Sequence, residues 1–200
     1  MGKAILISIQ PKWVEKILNG EKTIEVRKQF PEDYVGWVYI YVTKGKPYLY
    51  GDKSVYEGKQ EYFWVQKIEG NGIVPLLNGK VVARFWCDKV EEIMLPYTKF
   101  GGIIGVCCEN ERTLQTETLD EPDLLKKSCV SEQEIYKYLN FKKSPRECGY
   151  AIHISKLDIF DRPKELSEFR TYKTYNLKDL HNCHLTLTKA PQSWCYIEGE

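Results

Sequence analysis

The sequence predicts an α+β chain, a small mixed or antiparallel β-sheet or barrel flanked by a few helices and interrupted by insertions. Three observations carry this. Short apolar stretches with two-residue alternation recur at 4–9, 24–27, 37–43, 79–87, 150–155 and 194–197. Single helical patterns separate them, and the connections are too irregular for a series of β-α-β units. Neither GxGxxG nor a GxxxxGKS or GxxxxGKT stretch occurs, which argues against a doubly wound nucleotide fold.

Residues 4 to 9 alternate Ile5, Ile7 and Ile9 with Leu6 and Ser8, as a strand buried on both faces does. Pro11 suits a first helical turn; Trp13, Val14, Ile17 and Leu18 then form one apolar stripe, and Gly20 ends the helix. The run from Gly20 to Lys28, GEKTIEVRK, follows. As a strand it points Ile24 and Val26 one way and Thr23, Glu25 and Arg27 the other. After a turn over 31–36, Val38, Ile40 and Val42 alternate with Trp37, Tyr39 and Tyr41 in a strand to Thr43.

Over about 44–78 the pattern lapses at Gly45, Pro47, Gly51, Gly58, Gly70, Gly72 and Pro75. This predicts an insertion with a hairpin or helix of its own. A strand resumes over 79–87, with Val81, Ala83 and Phe85 on one side. The stretch from Asp88 to Leu95 is ambiguous. A second insertion over about 98–130, including the apolar run Ile103 to Val106, shows low periodicity and predicts loop or helix ends. Ser131 and Glu134 open a capping box for a helix to about Asn140, after which Lys142, Lys143 and Arg146 form a small basic cluster. A strand over 150–155, a helix past Pro163 from Leu166 to Phe169, and a closing strand at Trp194 to Ile197 complete the chain. The last two lie in an extension over about 156–200, and one domain over 1–200 holds it all.

Composition excludes several classes. The apolar fraction of 42% is that of a soluble globular chain, and no run reaches the ~18 residues a membrane helix needs. Met1 to Leu6 holds one basic residue and too short an apolar run for a signal peptide; position 6 lacks the Ser or Thr of a myristoylation signal, so a cytoplasmic location is expected. With 29 basic and 28 acidic residues, any contact with nucleic acid must be local rather than global. Fourteen Tyr and five Trp supply stacking surfaces, although aromatics equally fill the core of a small β-protein. Seven cysteines, an odd number without a CxxC pair, indicate neither a disulfide framework nor a zinc ribbon. His181, Cys183 and His184, with Cys195 or Cys148, match no zinc spacing, so no metal and no cofactor is expected.

The charged strand has two readings. Lys22 offers a point charge, Arg27 a planar fork of donors, and Glu25 acceptors alone, a set suited to a polar ligand. If buried together, Glu25 and Arg27 could equally hold each other as a structural pair.

Ile7-Ser8-Ile9-Gln10-Pro11, followed by Lys16 to Lys28, closely resembles the signature of ASCH domains, a branch of the PUA-like superfamily. Gly149 to Ser155, Asp161-Arg162-Pro163-Lys164 and Leu166-Ser167-Glu168-Phe169 resemble the family's C-terminal strand and extension. Ala190-Pro191-Gln192-Ser193-Trp194 resembles the tail of longer, phage- and prophage-associated members. The resemblance is strong over 4–43, fair over 79–90 and 149–197, and absent over the insertions.

It implies a PUA-like β-barrel with a polar cleft between the first helix and the GEKTIEVRK strand. In that cleft RNA or a modified nucleoside or nucleotide-like ligand would bind, with a regulatory role. The implied ligand-binding residues are Lys22, Thr23, Glu25 and Arg27; Lys44, His153 and Trp194 are further candidates, each weighed against its commoner use as a solvated loop lysine, a satisfied interior or surface histidine and a core tryptophan. One enzymatic branch, an amidohydrolase of N4-acetylcytidine, carries K-T-I-T-I-R. Lys22 matches its lysine, but Glu25 stands where its nucleophilic threonine would be, which weakens that reading. If the chain is enzymatic, Lys22, Glu25 and Thr23 are the catalytic candidates. A third class is a phage-encoded interaction module that meets a host protein through the insertions.

Overall fold

The computed structural model describes residues 2–51, 54–56, 59–61, 76–94, 107–109, 121–140, 148–172 and 186–199. They gather into two compact units, each drawn from separate stretches. Met1–Asn19, Gly36–Trp86 and Lys156–Glu200 make the first, Gly20–Val35 and Cys87–Ser155 the second. The architecture is mixed and mostly strand. In chain order it comprises β1 (Lys3–Ile9), α1 (Pro11–Leu18), β2 (Ile24–Arg27), β3 (Gly36–Val42), β4 (Ser54–Tyr56), β5 (Lys59–Glu61), β6 (Val81–Cys87) and β7 (Val90–Met94). Then come β8 (Cys107–Glu109), α2 (Glu121–Ser128), α3 (Glu132–Leu139), β9 (Gly149–His153), β10 (Ser155–Lys164) and β11 (Trp194–Glu198). No described helix is long and apolar enough to cross a membrane.

The first unit holds a five-stranded sheet in the order β10-β6-β3-β1-β11. β1 runs parallel to β3, with Ile5 opposite Val38, and antiparallel to β11, with Leu6 opposite Cys195. Its alternation predicts burial on both faces, and every residue from Ala4 to Ile9 is buried. Ala4, Leu6, Tyr39, Tyr41 and Val81 pack with Phe169, Leu187 and Ile197. α1 starts at Pro11, buries Pro11, Val14, Ile17 and Leu18, and is followed by Gly20 at φ 75°, a left-handed position that suits glycine. Trp13 is half-buried with the Lys12 ammonium over its ring.

The second unit holds a four-stranded sheet in the order β2-β9-β7-β8. Antiparallel pairing sets Ile24 opposite His153, Glu25 opposite Ile152, Val26 opposite Ala151 and Arg27 opposite Tyr150. Ile24, Val26, Ile93 and Ala151 form a core with Leu124 of α2 and Ile135 and Leu139 of α3. The capping box forms as expected: Ser131 Oγ accepts from the Glu134 N–H, and Glu134 Oε2 accepts from the Ser131 N–H.

The expected barrel is corrected: among the described residues neither large sheet closes. Closure requires the outermost strands of a sheet to hydrogen-bond each other, but β10 and β11 are separate edges. The free side of β11 is taken by the segment after β10. There the Tyr172 N–H donates to the Tyr196 carbonyl at 3.2 Å, and the Glu198 N–H to the Arg170 carbonyl at 3.0 Å. Edge position also suits β10 to Pro163, because an edge strand's backbone N–H groups on its outer side join no ladder. The helix expected after Pro163 is only a 3-10 turn, Leu166–Glu168.

The first insertion contains the hairpin β4–β5, and the second contains β8 and α2 where loop or helix ends were expected. The ambiguous stretch after Asp88 becomes β7, because pairing with β9 and β8 supplies what its own pattern lacks. The Ile103 to Val106 run, the Lys142, Lys143 and Arg146 cluster, and His181, Cys183 and His184 lie outside the described residues.

Candidate functional site

β2 places its charged residues as alternation requires. Ile24 and Val26 enter the apolar core, so Glu25 and Arg27 project from the opposite face. Lys22, Glu25 and Arg27 of the motif converge. The Lys22 ammonium lies 3.4 Å from Glu25 Oε2, and the other carboxylate oxygen lies 3.1 Å from Arg27 Nη2. Side-chain exposure rises along the row, from 2% at Lys22 and 6% at Glu25 to 12% at Arg27. One buried carboxylate is thus bracketed by two cations, and the trio carries a formal charge of +1.

Backbone contacts hold the motif beside α2. Lys22 Nζ donates to the Ser128 carbonyl at 2.6 Å, and the Thr23 N–H to the Lys127 carbonyl at 2.9 Å. Both acceptors are last-turn carbonyls of α2, which no helical N–H can reach and which favour a cation. The Thr23 carbonyl in turn accepts from Ile154, while its side chain stays exposed. Burial pushes the Lys22 pKa below its ordinary 10.5; Glu25 opposes that shift and Arg27 adds to it.

His153 faces the other way. Its register partner is Ile24, so its ring lies on the core side of the sheet, with Nε2 at 2.5 Å from Glu91 Oε2. Glu91, 1% exposed, also pairs with Lys89 at 2.7 Å. Burial alone would raise the Glu91 carboxyl pKa, but hydrogen bonds and charge from His153 and Lys89 outweigh it and hold the group below its usual 4.5.

Lys44 and Trp194 belong to the first unit. The exposed Lys44 lays its stem against Gly79, and Trp194 packs edge-on to Tyr196 with ring centroids 5.2 Å apart. Sequence reasoning grouped Lys22, Thr23, Glu25 and Arg27; the structure brings Lys22, Glu25 and Arg27 together and adds two neighbours that were not foreseen, the α2 carbonyls and Tyr150. The first are backbone groups and leave no signal in residue type. Tyr150 had one, its alternation with Ile152, but only strand register could align it with Arg27. Among the described residues no group of three His, Cys, Asp or Glu side chains could hold a metal.

No family model matches the chain, and no curated protein matches it. It is similar to solved structures of ASCH from Zymomonas mobilis. One covers 98% of this chain and 87% of its own, at 16% identity and a TM-score of 0.48. Two single-substitution mutants of that protein give 16% identity with TM-scores of 0.47 and 0.48, each covering 98% of this chain and 90% and 88% of their own.

Proposed function

We propose that the second unit binds RNA or a modified nucleoside or nucleotide-like ligand at the Lys22–Glu25–Arg27 row, in a regulatory rather than catalytic role. The observation that supports it most is the converging, net positive trio whose exposure increases toward Arg27. An excess buried cation favours an anion such as phosphate, because charge is screened weakly away from water. Arg27 supplies the fork for that anion. Glu25 fixes the fork, and Thr23 offers a hydroxyl at the rim. Lys44, His153 and Trp194 are secondary to this reading.

Thermal shift against nucleosides, nucleotides and short RNAs tests it, since a ligand selective for the folded state raises its stability. At least one class should raise Tm, and Arg27→Lys should abolish the response while leaving the unliganded melt near that of the wild type. If no class raises Tm, the proposal fails.

The depressed Lys22 pKa supports a second reading, an amidohydrolase of N4-acylated cytidine-type nucleosides. A lysine with a larger neutral fraction can take a proton from water or from the exposed Thr23 hydroxyl. Release of cytidine from N4-acetylcytidine, abolished by Lys22→Arg, would establish it; no release would remove it.

A further inference from the structure

We infer that Tyr150 is the stacking wall of the ligand site, its ring standing beside the Arg27 guanidinium to take the planar base of a nucleotide whose phosphate Arg27 holds. This rests on the binding reading above and adds a residue and a ligand part to it.

Register puts the two side chains together. Arg27 and Tyr150 are directly opposite on antiparallel strands, and Glu92 of β7 is opposite Tyr150 in turn. Facing residues of such a pair have Cβ atoms about 5 Å apart on one face of the sheet. That face is the one carrying Glu25, two residues before Arg27. Next to Glu25 the row is closed, for Ile152 opposite it is fully buried. It opens at Arg27 and Tyr150, both half-buried, and at Glu32, which is exposed. A ligand held by Arg27 at this open end of the row therefore has the Tyr150 ring beside it.

That ring is held in place. Its hydroxyl donates to Glu32 Oε1 at 3.0 Å, and the Cys148 thiol lies 3.8 Å from the same hydroxyl. Burial, followed by Glu32 and Cys148, pushes the phenol pKa well up, so the ring stays neutral at any working pH. A fixed, uncharged, half-open aromatic ring next to a guanidinium accepts the π-face of any base, because stacking requires a flat apolar surface and no particular edge pattern. Glu32 and Glu92 beside it disfavour a second phosphate, which orients the ligand with its phosphate toward Arg27.

The full chain is assayed by thermal shift with adenosine 5′-monophosphate, uridine 5′-monophosphate and ribose 5-phosphate at equal concentration. Expected in the wild type are larger shifts from both nucleotides than from the sugar phosphate. Tyr150→Leu should reduce the nucleotide shifts to the sugar-phosphate level, and Tyr150→Phe should retain the difference. Equal shifts from all three in the wild type, or a difference that survives Tyr150→Leu, would overturn the inference and leave the binding proposal standing. No shift from any of the three would overturn both. If Tyr150→Leu does not fold, photo-crosslinking of the wild type with 5-bromouridine 5′-monophosphate decides. An adduct on Tyr150 supports the inference, and adducts confined to other residues overturn it.

Discussion

Lys22 closes the C-terminus of α2 by donating from its ammonium to the Ser128 carbonyl at 2.6 Å, while the same nitrogen lies 3.4 Å from Glu25. The lysine of the motif is thus both a helix cap and one arm of an ion-pair row. Cap and row respond differently to substitution.

Glu25 is the centre of the row, since its two oxygens face two different cations. Glu25→Ala leaves both cations buried without their shared anion and should cost about 3–5 kcal/mol. Lys22→Met keeps most of the stem, removes a desolvated charge and leaves Glu25 with Arg27, so about 1–2 kcal/mol is expected. Urea melts of the two variants give the order directly. A larger loss for Lys22→Met would show that the cap, not the carboxylate, dominates.

Glu91 makes acid stability depend on one pair of strands. Its folded pKa lies below 4.5, so the unfolded chain binds the proton first as pH falls. Its contribution is complete above 4.5 and is lost as pH drops through the folded value. The stability difference between wild type and Glu91→Gln should therefore shrink steadily below pH 4.5. A difference that stays constant from pH 6 to pH 3 would contradict the assignment.

Asn78 organises the loop that carries Lys44. Its Oδ1 accepts from the Leu49 N–H at 2.7 Å, and its Nδ2 donates to the carbonyls of Gly45 at 2.8 Å and Pro47 at 3.2 Å. Asn78→Ala leaves the buried Leu49 amide without its acceptor, a loss of about 1–3 kcal/mol. Hydrogen exchange at Leu49 should accelerate in the variant, while exchange in β1 and β3 follows global stability alone. Unchanged exchange at Leu49 would mean that water replaces the side chain.

Cys87 is fully buried, and burial pushes its thiol up to about 12. At pH 8 only roughly one molecule in ten thousand carries the thiolate that alkylation needs. Iodoacetamide should therefore modify half-exposed Cys129 and leave Cys87 unlabelled until the protein unfolds. Labelling of Cys87 at the Cys129 rate in the folded protein would rule this out.

Much of the fold was legible because it is local. Pro11 and Gly20 bound α1, Ser131 and Glu134 cap α3, and the alternation of Ile5, Ile7 and Ile9 marks β1 as a buried central strand. β7 and β8 were not legible. Val90–Met94 is charged at two of its five positions and becomes a strand through pairing with β9 and β8. β10 was hidden by Pro163, which only its edge position tolerates.

For the site, the sequence by itself determined that Glu25 and Arg27 share one face of a strand while Ile24 and Val26 take the other. A period of two is a property of the extended backbone. The tertiary structure alone decided that Lys22 reaches the end of α2, that Tyr150 stands opposite Arg27, and that His153 belongs with Glu91 on the far face. Each depends on the alignment of segments far apart in the chain, 62 residues between Glu91 and His153 and 106 between Lys22 and Ser128, and shifting an antiparallel strand by one residue exchanges its faces without changing any local preference.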